Sequence, residues 1–252
     1  MDVEKVNRIG IQSITHHMPM WLDNMRENFA RIKDDDDILD AEGIGRALVI
    51  GAGPSLHRNK HLELLADRGF DGTIVACDRV MIDCLEYGIV PDYVLFLDGA
   101  IKALPFVDAK IVDEYSDRIT AVMSCTTHPA VVKRWGGKIL WFVNSIPNAM
   151  VANVSHVWYG LTKKTGLATA GHVGAACWSF AFRLGCREMY LIGIDLAEMD
   201  DAPPEVEETY VMCSLGQVEA AGERGCKIIN CTEGGALTGD TIEQRRLKDV
   251  LG

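Results

Sequence analysis

The chain has 252 residues, 48% hydrophobic and 24% charged, with a formal net charge of −11. This balance is that of a globular protein with one large domain, or one domain and an added segment. The negative charge excludes a general binder of nucleic acid or anionic membrane, which needs a basic surface to displace counterions, but it leaves room for a small basic pocket. No apolar run approaches the roughly 20 residues that span a bilayer. The opening MDVEKVNRIG lacks the basic and apolar regions of a signal peptide, so a cytoplasmic location is expected. Cysteines 77, 84, 125, 177, 186, 213, 226 and 231 form no C-x-x-C pair and sit mostly in apolar runs. Buried reduced thiols are therefore expected, rather than a zinc site or disulfides.

Residues 1–45 read as an N-terminal helical segment. Met18, Trp21, Leu22, Met25, Phe29 and Ile32 recur at helical spacing, giving a packing face across a sheet or at a subunit contact. The four acids 34–37 read as a solvated linker, since they lack the alternating ligand spacing of a calcium loop. From residue 46 to 252 strands and helices alternate. Strands are expected at 47–50, 73–77, 93–97, 119–124, 139–143, 189–192 and 227–229. Helices are expected at 56–68, from 78 to Tyr87, 104–115, 129–135, from 169 to Leu184, 210–224 and 242–251. Residues 144–168 show no clear period and read as a long loop with a short helix near 147–153, and 197–208 as a mobile acidic loop. The order predicts an α/β fold: a Rossmann-like, mainly parallel sheet with helices on both faces.

In such sheets ligands bind beyond the carboxyl ends of the strands, near the topological switch point. The first strand ends in Gly51-Ala52-Gly53-Pro54-Ser55. A glycine turn leading into a helix N-terminus presents backbone N–H groups to an anion, although G-x-G-P-S is only part of the dinucleotide fingerprint. Asp78 and Asp98 each end an apolar strand. A carboxylate there accepts hydrogen bonds from a ribose or base, or holds Mg²⁺; equally, Asp78 can cap the next helix and Asp98-Gly99 can be a turn. Gly193-Ile194-Asp195 and Asn230-Cys231-Thr232 follow later strands. His172, between Gly171 and Gly174 at a helix start, is the general acid/base candidate, because small neighbours leave room for a ligand and a helix N-terminus keeps the ring neutral. His16, His17, His57 and His61 have no partner spacing and read as surface.

Six stretches together resemble the MptE-like domain family: GAGPSL (51–56), ACDR (76–79), GIVPDYVLFLDG (88–99), GHVGAAC (171–177), FRLGCREMYLIGIDL (182–196) and INCTEGGALTGD (229–240). The family includes archaeal 6-hydroxymethylpterin diphosphokinases and bacterial Maf flagellin-modification proteins, which resemble nonulosonic (sialic-type) acid transferases. The resemblance implies a nucleotide-binding Rossmann-like domain over 46–252, with the glycine motif (Gly51, Gly53, Pro54, Ser55), Asp78 and Asp98 at the nucleotide or its metal, and with Asp195, Asn230 and Thr232 as parts of the site; beside these, Gly171 and Gly174 are nucleotide-site candidates and Asp98 and His172 the catalytic ones. Two features depart from the patterns. The pterin kinases tend to carry T-D-L-D-G where this chain has Leu95-Phe96-Leu97-Asp98-Gly99, one acid fewer. Maf proteins usually carry regions on either side of the part matched here.

The leading expectation is a transferase with a nucleotide-activated donor, a CMP-sugar in the specific version. In it the glycine-turn amides and Ser55 hold phosphate, Asp78 and Asp98 position the nucleotide, and His172 deprotonates the acceptor. The alternative is an ATP-dependent 6-hydroxymethylpterin diphosphokinase with Mg²⁺ on Asp98 or Asp195. A third reading is a non-catalytic nucleotide-binding module. The expected partners are a nucleotide and a small-molecule, glycan or protein acceptor, with self-association through residues 18–32 a further option. No tightly bound cofactor is expected.

Overall fold

The computed structural model describes residues 3–43, 45–145, 152–196 and 204–251. Helix α1 (Val3–Asp34) comes first. Of its apolar stripe, Met25 and Ile32 are buried, while Leu22 and Phe29 stay 47% and 42% exposed. The buried face is thus narrower than the sequence spacing suggests. It is completed by two amides one helical turn apart. Asn24 Nδ2 donates to the carbonyls of Gly99 (2.8 Å) and Thr126 (2.9 Å), and Asn28 Nδ2 to that of Thr127 (2.8 Å). These bonds tie α1 to the loops beyond two central strands.

The acids after α1 are not a solvated linker. Asp36–Asp37 form strand β1, and Asp37 accepts from Leu39 N (2.8 Å) and Thr165 N (2.6 Å). Asp35 accepts from the Trp141 indole at 3.1 Å. Each carboxylate bonds backbone or ring N–H groups, which competes effectively with hydration.

Then follow β2 (Arg46–Ile50), α2 (Ser55–Arg58), α3 (His61–Arg68), β3 (Thr73–Cys77), α4 (Met81–Glu86), β4 (Tyr93–Phe96), α5 (Lys110–Tyr115), β5 (Thr120–Ser124), α6 (Pro129–Arg134) and β6 (Ile139–Ser145). After these come α7 (Ala152–Thr162), β7 (Gly166–Ala168), α8 (Val173–Arg183), β8 (Glu188–Ile192), α9 (Pro204–Gly222), β9 (Lys227–Asn230) and β10 (Glu243–Gln244). The seven expected strands are present. The short β1, β7 and β10 are additions, too brief to leave a period in the sequence.

The helix expected at 56–68 is two helices, broken where Lys60 adopts a left-handed φ of 53° and Asn59 Nδ2 turns to the Thr232 carbonyl at 3.0 Å. The expected 104–115 helix is a 3-10 turn (Ile101–Phe106) followed by α5. The expected final helix is β10 and a 3-10 turn (Leu247–Asp249). The 144–168 stretch holds α7 and β7, while much of the short helix expected near 147–153 lies outside the described residues. So does most of the 197–208 loop, whose last residues already belong to α9.

Among the described residues the strands form one sheet in the order β1-β6-β5-β4-β3-β2-β8-β9-β10, with β7 beside β6. Every pairing is parallel, and helices cover both sides. Buried runs such as Ala47-Leu48-Val49-Ile50 have no exposed residue, as a sheet covered on both faces requires. The chain builds outward from β2 through β3 to β6, then returns to add β8 on the other side of β2. The switch point therefore lies between β2 and β8, where the glycine turn meets Gly193-Ile194-Asp195. All eight cysteines are free, seven of them buried. Among the described residues no helix is long and apolar enough to cross a membrane.

Candidate functional site

The glycine turn is packed shut against the end of β8. Gly51 N donates to Ile192 O and Gly53 N to Gly193 O, both at 2.8 Å. A Cβ on Gly51 would run into the Gly193 carbonyl, and one on Gly53 into the Asp195 carboxylate. The glycines are there because two backbones approach closely. Asp195, 6% exposed, takes the place an anion would occupy. Ser55 N donates to its Oδ1 at 3.2 Å and Ser55 Oγ to its Oδ2 at 2.6 Å. Pro54, the cap residue, has no N–H to offer.

The turn expected to hold a phosphate thus has the amides of Gly51, Gly53 and Ser55 bonded within the protein, while Ala52 is exposed. The donors of Gly51, Gly53 and Ser55 go to the protein's own carbonyls and to Asp195. Each Asp195 oxygen already accepts one hydrogen bond from Ser55. Asn230 and Thr232 are fully buried and similarly committed. Asn230 Nδ2 donates to Leu237 O (2.9 Å) and its Oδ1 accepts from Thr232 N (3.0 Å), while Thr232 Oγ1 accepts from Ile194 N (3.2 Å). They brace the loops rather than face a ligand.

His172 is also a brace. It caps α8, with Nδ1 accepting from Ala175 N at 3.2 Å. An accepting Nδ1 puts the ring proton on Nε2, which donates to the buried Ser214 hydroxyl at 2.8 Å. The rings of Trp178 and Tyr210 lie 5.6 Å away. Burial pushes the imidazole down to about 4. With both nitrogens engaged and its basicity depressed, His172 is a poor general base. Two donors remain at this helix start, because the first N–H groups of a helix have no internal acceptor and only that of Ala175 is taken by the cap. Gly171, at a φ of +87°, lies under the Tyr210 ring, where a Cβ would collide. Gly174 packs on the Ile194 side chain, so α8 begins directly above the glycine turn.

Beyond β3 and β4 the polar groups are placed differently. Asp78 is 5% exposed, and Arg79 N donates to its Oδ1 at 2.8 Å. Burial raises its carboxyl to about 7, with the charge of Asp98 adding to the rise. Asp98 is the more open of the two. Its Oδ1 accepts from Ala100 N at 2.8 Å, and Lys102 Nζ lies 3.4 Å from Oδ2. Three further groups gather here that sequence reasoning missed. His17, read as surface, stacks on Trp21 at 5.5 Å; burial lowers its pKa and the nearby Asp98 opposes that fall. Tyr210 touches Gly171 and His172 and feels the charge of Asp98, which adds to the effect of burial in raising its phenol. Lys102 supplies a cation. Lys102 had a local signal, since it follows Asp98 closely in the chain, whereas His17 and Tyr210 lie inside α1 and α9, which deliver them from far along the chain.

Asp195 is committed to Ser55 and Asp98 is paired with Lys102. Among the described residues no group of three His, Cys, Asp or Glu is placed to hold a metal.

A family model described as 6-hydroxymethylpterin diphosphokinase MptE-like matches residues 21–201. The chain belongs to this family. Among solved structures it is similar to the Maf glycosyltransferase from Magnetospirillum magneticum AMB-1, with a TM-score of 0.64 and 19% identity over 91% of this chain. The chain covers 39% of the length of that protein. At this identity the likeness speaks for the fold. A search of the curated proteins returns no match. The family is named for a diphosphokinase and the neighbour for a glycosyltransferase, and both are transferases.

Proposed function

We propose that the chain is a transferase that takes a group from a nucleotide-activated donor, with glycosyl transfer from a CMP-sugar of the nonulosonic type as the specific reaction. The observation that carries this reading is the gathering of Asp98, Asp78, Tyr210 and Lys102 at one sheet edge beside the start of α8. The donor phosphate would take the two unpaired N–H groups of that 11-residue helix, with Lys102 and Arg79 adding positive charge. The acceptor oxygen attacks the anomeric carbon and its proton passes to Asp98. The bond to the phosphate oxygen breaks, and the nucleoside monophosphate leaves against those donors. His172 holds the helix start and the Tyr210 ring in place.

The family description favours a second reading, diphosphate transfer from ATP to a hydroxymethylpterin. Thermal unfolding with CMP, CMP-N-acetylneuraminate, ATP, and ATP with Mg²⁺ separates the two. A ligand at 100 times its Kd stabilises by about 2.7 kcal/mol, on the order of 5–10 °C for a chain of this size. Protection by CMP or its sugar is expected. Protection by ATP with Mg²⁺ alone would overturn the glycosyl reading in favour of the kinase one. No protection by any of them would remove nucleotide binding altogether.

A further inference from the structure

A cavity of about 550 Å³ opens away from the Asp98 cluster, lined by Glu233, Gln244, Arg245, Arg246 and Asp249. Glu233 follows β9, and Arg245 and Arg246 follow the neighbouring parallel strand β10, so the cavity lies on the carboxyl edge of the sheet. We propose that it is a carbohydrate-binding subsite, where a neutral, hydroxyl-rich acceptor docks. Only the word acceptor rests on the transferase reading; sugar binding itself does not.

The lining chemistry selects the ligand class. Two guanidinium groups and two carboxylates cancel in charge, and the fifth group is a neutral amide. A free phosphate would meet both carboxylates, and an apolar ligand would strand every lining group. The internal bonds leave a mixed set of free atoms. Glu233 Oε1 accepts from His61 Nε2 at 3.3 Å and Leu247 N at 3.1 Å, leaving Oε2. Gln244 Nε2 donates to Leu237 O at 3.2 Å, leaving Oε1. Arg245 Nε bonds Glu243, leaving both terminal nitrogens, while Arg246 and Asp249 pair through two bonds, Nε to Oδ2 at 2.9 Å and Nη2 to Oδ1 at 3.4 Å. Free acceptors beside free donors suit hydroxyls, each of which donates and accepts at once.

The side chains are also held in advance. Glu243, which orients Arg245, is itself paired with Lys227 at 3.0 Å. His61, read as surface from the sequence, is fully buried; burial lowers its pKa while Glu233 opposes that fall, and its Nε2 lies 3.3 Å from that carboxylate. Ordering these groups beforehand removes part of the entropic cost of binding. The loop carrying Glu233 also touches the switch point, since Ala236 N donates to Asp195 O at 2.7 Å.

Saturation-transfer difference NMR with free galactose, glucose, N-acetylglucosamine, N-acetylneuraminic acid and inorganic phosphate tests the assignment. One or more neutral sugars should receive saturation from the wild-type chain. The transfer should fall at least about fivefold in the Arg245→Ala, Glu233→Gln double variant and persist in Asp98→Asn. The single Arg245→Ala variant, which changes an exposed side chain, provides the same readout if the double variant melts early. No transfer to any neutral sugar, transfer unchanged in the Arg245→Ala variant, or binding of N-acetylneuraminic acid or phosphate alone would each overturn the proposal. CMP protection measured on the same samples separates the two readings. Sugar binding without CMP protection keeps the subsite and removes the transferase, and the converse removes the subsite.

Discussion

The two sides of the sheet's carboxyl edge treat buried carboxylates in opposite ways. Beyond β8, Asp195 is matched oxygen for donor by Ser55, and Thr232 and Asn230 complete a bonded set around it. Beyond β3, Asp78 is buried to a similar degree, yet burial and the charge of Asp98 push its carboxyl to about 7. Similar burial with different partners gives opposite roles. A carboxylate whose lone pairs are filled by fixed donors is scaffold. One left short of donors beside a like charge stores a protonation equilibrium near neutrality, the property that acid–base chemistry uses.

The sharpest way to break this contrast is on the scaffold side. Gly51→Ala drives a methyl group into the Gly193 carbonyl, and both backbones are fixed by 2.8 Å hydrogen bonds. We expect a loss of about 3 kcal/mol, or roughly 6–12 °C in Tm. Gly216→Ala is the control. It lies inside α9 with nothing within 4 Å of the added carbon, and should gain up to about 1 kcal/mol. Equal melting of Gly51→Ala and wild type would mean that the two turns do not touch and that the glycine turn is open to a phosphate after all.

On the perturbed side, Asp78→Asn should act through pH. Asp78 binds its proton more tightly folded than unfolded, since its carboxyl rises from the usual 3.8 to about 7. Its stabilising contribution is complete below about pH 4 and is lost as pH rises through 7, on the order of a few kcal/mol. Asparagine cannot ionise, so the variant should match wild type near pH 4 and exceed it at pH 8 in urea denaturation. Parallel stability–pH curves for the two proteins would show that Asp78 is an ordinary carboxylate, and the contrast with Asp195 would vanish.

The sheet was legible in the sequence because parallel strands buried on both faces read as short apolar runs, and Ala47-Leu48-Val49-Ile50 is such a run. The acids at strand ends were legible for the same reason, as they interrupt apolar stretches. Roles were less legible than positions. Ser55 and Asp195 are 140 residues apart, and nothing local says that one fills the other's site. His61 follows a basic, polar stretch and gives no sign that the sheet edge will bury it against Glu233. Asn24 and Asn28 lie among the apolar positions of α1, and nothing local shows that they join it to the sheet edge.

The smallest expected effect concerns His172, which the sequence placed at the centre of the chemistry and the structure places among the braces. His172→Asn keeps a cap of nearly equal quality, since asparagine accepts from the same helical N–H groups. It loses the ring's bond to Ser214 and its packing on Tyr210, at about 1 kcal/mol in all. Because burial takes the imidazole down to about 4, wild-type donor turnover should show no titration near pH 6.5 that the variant lacks. In stability the sign is set by the depressed value. The wild-type ring's contribution is present above about pH 6.5 and is lost as pH falls through 4, a slope that the variant should not show. A general base contributes about 100-fold or more to rate. A loss of that size in donor turnover, with melting unchanged, would return His172 to the chemistry and leave Asp98 as a positioning carboxylate. Turnover within a few-fold of wild type keeps the division between a satisfied scaffold and the perturbed Asp78.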